Sequence, residues 1–307
     1  MIEVRELTKR YGEHVAVSGL TFKVEAGRIW GLLGPNGAGK TTTMRILTGY
    51  LPATSGRATV AGFDVFDKPD DVKRSIGYLP EIVPLYQDMT VAGYLAFVAE
   101  IKQVPKAGRR AAVARALEAA GLKDTGGRLI KNISRGYKQR VGIAQAMIHD
   151  PQVLVLDEPT IGLDPAQIRE IRELIRGLRG EHTILLSTHI LPEVTQVCDG
   201  VVIIDQGRLM ASGSLEELAA SFEKSDGVLV RLRRGGAEEA ALFRGLPGVD
   251  RVAIEGDEIR IEWGRGRDLR DDVARLALDK GLGIKEMRSV AGIEDLYMKI
   301  VAGGLEQ

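Results

Sequence analysis

The 307-residue sequence has little cysteine, no net charge and no long apolar run. A single cysteine, Cys198, excludes an internal disulfide framework and is typical of a protein from a reducing compartment. The 42 basic residues are balanced by 42 acidic ones, so no overall basic field draws the chain onto nucleic acid or anionic lipid. We therefore expect no nucleic-acid partner, and any partner must be recognised locally.

The apolar segments are too short for a membrane-spanning helix, which needs about 18 residues. The strongest of them, 153–156 and 201–204, predict buried strands instead. The N-terminal residues also lack the basic start and apolar stretch of a signal peptide, so we expect no leader of that kind. Cys198 lies beside Val197 and Val201, which predicts a buried, inert thiol.

What the sequence does contain predicts an α/β fold with a second, smaller domain. Short apolar segments at 28–33, 153–156, 183–187 and 201–205 predict strands covered on both faces and separated by helices. Apolar residues at helical spacing predict a helical insertion at about 88–150; they are Val91, Leu95, Val98 and Ile101. We predict a first domain over 1–222 and a small α+β domain over 223–307. The second domain should contain a hairpin (249–254 with 258–263) and helices at about 268–279 and 293–301.

The sharpest motif directly follows the first predicted strand and precedes a helical stretch. It matches G-x-x-x-x-G-K-[ST] and consists of Gly34, Pro35, Asn36, Gly37, Ala38, Gly39, Lys40 and Thr41, with Thr42 next. Such a loop points its backbone N–H groups inward, and the helix N-terminus adds partial positive charge. Lys40 supplies a point charge for the phosphates, and the Thr41 hydroxyl is suited to Mg²⁺. The motif predicts a P-loop NTPase that binds a nucleoside triphosphate.

Polar residues after two other predicted strands complete this chemistry. Asp157 and Glu158 follow the strand at 153–156, at the strand end where open α/β sheets bind ligands. Asp157 is predicted to hold the metal, and Glu158 to act as the general base for the attacking water. His189 follows the strand at 183–187 and is predicted to contact the γ-phosphate or that water; its alternative is a structural role.

With these motifs placed, residues 2–213 resemble the ATP-binding subunit of ABC transporters. Residues 133–140, ISRGYKQR, look like the family's signature sequence at the start of a helix, with Ser134 as its N-cap. Residues 162–165, GLDP, resemble the family's D-loop. The resemblance implies that the signature segment and the D-loop reach the ATP of a second subunit in a head-to-tail homodimer; the residues concerned are Ser134, Arg135, Gly136, Tyr137 and Asp164. It also implies that Tyr11 stacks on adenine, although a ring at this position is otherwise a core residue.

The sequence departs from the family pattern at three positions. Glu81 stands where the family usually has the Q-loop glutamine, and it adds negative charge near the predicted triphosphate and Mg²⁺. Arg135 and Tyr137 replace a glycine and the glutamine of the signature. We expect Glu81 to bind the metal or a water, and Arg135 to compensate electrostatically for the lost glycine.

The resemblance also implies partners. Two copies would act on membrane-embedded permease subunits at the cytoplasmic face of the cell membrane, through 81–94 and the helical insertion. The apolar stretch 82–86 either docks a helix of that permease or packs internally. Three segments resemble a subgroup of these ATPases that serves exporters: residues 79–81, the signature and residues 292–297. We expect the second domain to dimerise the subunits or to regulate them. A soluble ATPase that clamps ribosome or DNA is the alternative function.

Overall fold

The computed structural model describes residues 1–222, 226–233, 236–264, 267–289 and 297. The chain divides into two compact units, Met1–Gly213 and Ser214–Gln307. The helix Leu215–Phe222 falls in the second unit, whereas the predicted boundary at 222 assigns it to the first domain.

The residues up to Ser214 form both strands and helices. The strands are β1 (Ile2–Tyr11), β2 (His14–Val24), β3 (Ile29–Leu33), β4 (Ser55–Val60), β5 (Phe63–Asp64), β6 (Ile76–Leu79), β7 (Val153–Leu156), β8 (Thr183–Thr188), β9 (Gly200–Asp205) and β10 (Arg208–Ser214). The helices are α1 (Lys40–Leu47), α2 (Pro69–Ser75), α3 (Val91–Ile101), α4 (Lys106–Ala119), α5 (Arg135–Met147), α6 (Pro165–Gly177) and α7 (Leu191–Val197).

A six-stranded sheet in the order β10-β9-β3-β8-β7-β6 carries the predicted strands. β3, β7 and β8 are buried along their whole length, as their continuous apolar sequences predict. β3 runs parallel to β8 and β8 runs parallel to β7, with Leu33 opposite Thr188 and Leu156 opposite Leu186. The carboxyl ends of these three strands therefore meet at one edge of the sheet. The predicted α/β class is confirmed.

A second sheet, in the order β2-β1-β4-β5, is antiparallel and was not among the predicted strands. Its pairing shifts register between Val4 and Leu7 and again between Leu7 and Lys9, so its strands lack a regular alternation. Apolar residues from both sheets and α1 share one core, which includes Val4, Leu7, Met44 and Leu185.

The predicted helical insertion contains α3, α4 and α5, which share a separate apolar core. Val91 and Leu95 are fully buried in it, and Val98 packs against it. Ile101 is 59% exposed, so its expected place on the buried face is wrong. It is the last residue of α3, where the helix leaves that core.

The second unit contains a four-stranded antiparallel sheet in the order β12-β13-β11-β14. Its elements are α8 (Leu215–Phe222), β11 (Asp226–Leu232), α9 (Ala237–Arg244), β12 (Val249–Glu255), β13 (Glu258–Trp263), α10 (Arg270–Asp279) and β14 (Ile284–Ser289). The predicted hairpin is confirmed as β12 and β13, and the helix at 268–279 as α10. β14 was not predicted, and the predicted helix at 293–301 lies outside the described residues except for Tyr297.

Two further expectations concern burial and membrane spans. Cys198 is buried, and burial raises the pKa of its thiol, as expected for an inert cysteine. Among the described residues, none of the helices combines the length and the apolar character needed to cross a bilayer.

Gly77 provides a test of how β6 packs on α5. A Cβ built on Gly77 would lie 2.0 Å from the carbonyl oxygen of Ala146, so Gly77→Ala must push the strand away from the helix. We expect a loss of about 1–3 kcal/mol in the free energy of unfolding, measured by denaturant titration. In Gly108→Ala the new Cβ meets no atom within 4 Å, and this control in α4 should gain up to ~1 kcal/mol. Equal stability of the two variants would contradict the close approach.

Candidate functional site

The loop between β3 and α1 is held by close backbone contacts that exclude side chains. A Cβ on Gly34 would lie 2.2 Å from the Ile204 carbonyl oxygen. Gly39 has a φ of +100°, and a Cβ there would lie 2.6 Å from the Ala16 carbonyl oxygen. The loop can therefore wrap this tightly only with glycine at both positions.

The start of α1 leaves its backbone donors available. Gly39 is the N-cap and offers no side chain to the first-turn N–H groups, which have no partner within the helix. Such a helix end attracts anions. Lys40 is 6% exposed, and its Nζ donates to the carbonyl oxygens of Gly34 at 2.8 Å and Pro35 at 3.1 Å. A cation and free N–H groups thus converge on one loop.

Glu158 joins the loop to the end of β8. Its Oε1 lies 3.5 Å from Lys40 Nζ, and its two carboxylate oxygens lie 3.2 and 3.1 Å from His189 Nδ1. Glu158 is 6% exposed and has a φ of +48°, a conformation that costs free energy for any residue with a side chain. The structure therefore brings the three predicted catalytic residues together: Lys40 and Glu158 are buried, and His189 is partly exposed.

Asp157 is the most deeply buried carboxylate of the site, at 1% exposure. Its Oδ1 accepts hydrogen bonds from Ser187 at 2.6 Å and from Thr41 at 3.4 Å. Burial raises the pKa of Tyr78 to about 12, and the negative charge of Asp157 is the second cause of this rise. Ser187 was not predicted as a site residue, because it lies in a predicted strand whose preceding residues are apolar.

The second oxygen of Asp157 indicates a metal site. Oδ2 is buried and has no hydrogen-bond partner among the described residues. A buried carboxylate oxygen without a donor is costly unless a cation faces it. Mg²⁺ prefers oxygen ligands and is typically held by one or two carboxylates plus the phosphates of a substrate. Asp157 Oδ2 and the neighbouring Thr41 hydroxyl therefore fit magnesium.

A cavity of about 640 Å³ opens in front of these residues. The predicted residues that line it are Tyr11, Asn36, Gly37, Gly39, Lys40, Thr41, Thr42, Glu81, Glu158 and His189. Three lining residues were not predicted: His14, Ala16 and Ile161. Tyr11 is 47% exposed, so it is not a core residue. His14 pairs with Tyr11 across the β1–β2 turn, which recognition of those strands would have revealed.

Four of the predicted residues do not line the cavity: Gly34, Pro35, Ala38 and Asp157. Glu81 lines the cavity but is exposed and makes no hydrogen bond or ion pair with any described residue. The structure thus places Glu81 at the rim.

The signature and D-loop residues form a separate patch and do not enter the cavity. Ser134 is the N-cap of α5, where its Oγ accepts from the Tyr137 N–H, and Asp164 is the N-cap of α6. A Cβ on Gly162 would lie 2.5 Å from the Arg135 guanidinium, and one on Gly136 would meet the Gln167 side chain. The starts of the two helices therefore pack on each other.

The segment after Glu81 is only partly internal. Ile82 is 84% exposed and Tyr86 is 55% exposed, whereas Leu85 packs against the core of the helical insertion. The Tyr86 ring contacts those of Tyr94 and Phe97, at centroid distances of 6.0 and 5.5 Å. An apolar, aromatic surface thus lies beside the cavity rim.

Comparison with known proteins identifies the family of the chain. The family described as "ABC transporter" matches residues 17–161. The bacitracin transport ATP-binding protein BcrA of Bacillus licheniformis is 34% identical, over 99% of this chain and 98% of its own. The Nod factor export ATP-binding protein I of Ralstonia nicotianae is 34% identical, over 98% of this chain and 93% of its own. A solved structure of an ATP-binding subunit of an ABC transporter is 31% identical, covers 73% of this chain and 93% of its own, and has a TM-score of 0.66.

The positive φ of Glu158 generates a stability prediction. Glu158→Ala and Glu158→Gly remove the same carboxylate, but only glycine adopts this backbone conformation without strain. We expect the glycine variant to be about 1 kcal/mol more stable than the alanine variant in denaturant titration. An alanine variant at least as stable as the glycine variant would show that the backbone at 158 is not strained.

Proposed function

Because the chain belongs to the ABC transporter ATP-binding proteins, we propose that it binds and hydrolyses ATP to energise export through a separate membrane subunit. The observation that carries this proposal is the contact of the buried Glu158 carboxylate with Lys40 and His189 at the phosphate loop. Export as the direction of transport is supported by relatives named for bacitracin transport and Nod factor export.

For nucleotide binding, we assign the triphosphate to the loop 34–41 and the start of α1. The first-turn N–H groups and Lys40 supply the positive charge that the phosphates need. The exposed ring of Tyr11 at the cavity wall is assigned to adenine stacking. Magnesium would be held by Thr41 and Asp157 and would neutralise phosphate charge, with Glu81 at the rim as a further carboxylate.

For hydrolysis, Glu158 accepts the proton of the attacking water. Its carboxylate is held by Lys40 on one side and by His189 on the other, so it has a fixed position before the water arrives. His189 Nδ1 carries its proton toward Glu158, which orients the ring for a contact with the γ-phosphate or the water.

We assign the patch of Ser134, Arg135, Gly136, Tyr137 and Asp164 to the ATP of a second copy. The patch lies outside the chain's own cavity, and α5 begins there with a capped N-terminus, whose partial positive charge suits a phosphate. This arrangement supports a homodimer in which each ATP lies between the loop of one subunit and the signature of the other.

The surface of Ile82 and Tyr86 is assigned to the membrane permease. Exposed apolar and aromatic side chains in one patch mark an interaction surface, and an amphipathic helix of a membrane subunit would cover it. This contact would hold the chain at the cytoplasmic face of the membrane. The alternative, a soluble clamp on ribosome or DNA, has weaker support, because the charge of the chain is balanced.

Residues 223–307 are proposed to form a separate regulatory or dimerising domain. The described part has an apolar core of its own, which includes Val228, Phe243, Ile261 and Trp263. It is not assigned any catalytic chemistry.

Glu158→Gln tests the hydrolytic role. The amide keeps the shape of the side chain but cannot accept the proton, so ATP turnover should fall at least ~10²-fold while ATP still binds. The variant should accumulate as an ATP-dependent dimer in light scattering after size exclusion. Adding Ser134→Arg to it should leave ATP bound and the protein monomeric. Unchanged turnover in Glu158→Gln would refute the assignment of the base.

Ile82→Asp tests the permease surface. The full chain, tagged and extracted with detergent from its own cells, should co-purify with a hydrophobic membrane subunit, and Ile82→Asp should lose at least ~90% of it, because a carboxylate would be buried unpaired. Leu278→Asp, at a residue that is 69% exposed, is the matched control and should retain the subunit. Co-sedimentation of the wild-type chain with ribosomes and no membrane subunit would favour the soluble clamp.

A further inference from the structure

A third buried carboxylate, Glu193 on α7, is not used by the mechanism above. It is 3% exposed. Its Oε1 accepts a hydrogen bond from the Thr160 hydroxyl and its Oε2 one from the Thr188 hydroxyl, both at 2.6 Å. Arg172 of α6 lies 3.5 Å from Oε1. Each oxygen of Glu193 therefore has its own donor.

The two threonines belong to the segments that carry the catalytic side chains. Thr160 follows Glu158 and Pro159 at the end of β7, and Thr188 ends β8 directly before His189. β7 and β8 are neighbouring parallel strands, but their pairing ends at Leu156 and Leu186. Glu193 bridges the two chain segments beyond that point, where the ladder no longer fixes their separation.

The hydrogen bonds of Thr188 leave its hydroxyl little freedom. Its Oγ1 accepts from the Ile190 N–H at 3.0 Å, so it holds the turn that contains His189 while its proton goes to Glu193. A charged group buried this deeply makes strong hydrogen bonds, and the loss of one donor is costly. Movement of the turn would therefore break a favourable contact.

Resting on the proposed ATPase function, we propose that Glu193 is a positioning residue that sets the distance between His189 and Glu158. The carboxylate touches neither the cavity nor the predicted nucleotide; it acts through Thr188 and Thr160. Arg172, which also donates to Gln196 at 2.7 Å, links this bridge to α6 and so to the D-loop that precedes α6.

The test removes one hydroxyl without changing the shape of the side chain. In the full chain with ATP and magnesium, Thr188→Val should lower kcat by about tenfold or more, since small displacements of reacting groups have large effects on rate. The KM for ATP should stay within about twofold, because the phosphate loop is untouched. Thr188→Ser, which keeps the hydroxyl, should recover most of the turnover. Thr195→Val, the same change at a threonine of α7, should match the wild type.

A double-variant comparison separates positioning from general structural support. If Glu193 acts through His189, then Thr188→Val should cause no further loss in a His189→Ala background. The proposal would be overturned if Thr188→Val lowered kcat by the same factor in both backgrounds, or if Thr188→Val alone kept the wild-type kcat. If Thr188→Val does not fold, Glu193→Gln in the two backgrounds decides by the same criterion. Absence of ATP turnover in the wild-type chain would instead contradict the proposed function itself.

Discussion

The parallel pairing of β3, β8 and β7 is the constraint on which the site depends. Because Leu33 lies opposite Thr188 and Leu156 opposite Leu186, three loops that are far apart in sequence leave the sheet at the same edge. One loop brings backbone donors and a lysine, one brings two carboxylates, and one brings a histidine. No single loop contains all of these groups. The register of the sheet brings the three loops together.

Placing these residues at one edge of the sheet costs folding free energy, which the surrounding contacts offset. Glu158 is a buried carboxylate with a strained backbone. Burial of a charge disfavours glutamate at this position, and the positive φ disfavours any residue with a side chain. Lys40 Nζ, 3.5 Å from the carboxylate, compensates the charge, and His189 Nδ1 lies 3.1 Å from it. The Ser187 hydroxyl accepts a hydrogen bond from the Glu158 N–H at 2.8 Å. Ser187 also donates to Asp157, so one hydroxyl fixes two neighbouring carboxylate residues. The contacts that offset the strain and charge at Glu158 thus all come from neighbouring residues of the site.

The sequence was sufficient where the signal is local and insufficient where it is long-range. The phosphate loop, the buried strands and the cap at Ser134 are each determined by a few consecutive residues, and all lie where predicted. The strands β1 and β2 were missed because their bulges interrupt the alternation, and β6 because it is short and contains Gly77. Hydrogen bonds such as those of Ser187 and Glu193 join residues about 30 positions apart or connect separate elements, and no local pattern indicates them.

The departures of the signature from the family pattern find a physical explanation in the D-loop. A Cβ on Gly136 would lie 2.7 Å from Cδ of Gln167, so a larger residue there must displace the Gln167 side chain. Arg135 stands where a glycine is usual, and its guanidinium extends over Gly162, which has a φ of +67° and no side chain. A larger residue at 162 would meet that guanidinium, so the arginine and the D-loop glycine depend on each other. The arginine at 135 is therefore accommodated by the absence of a side chain at Gly162.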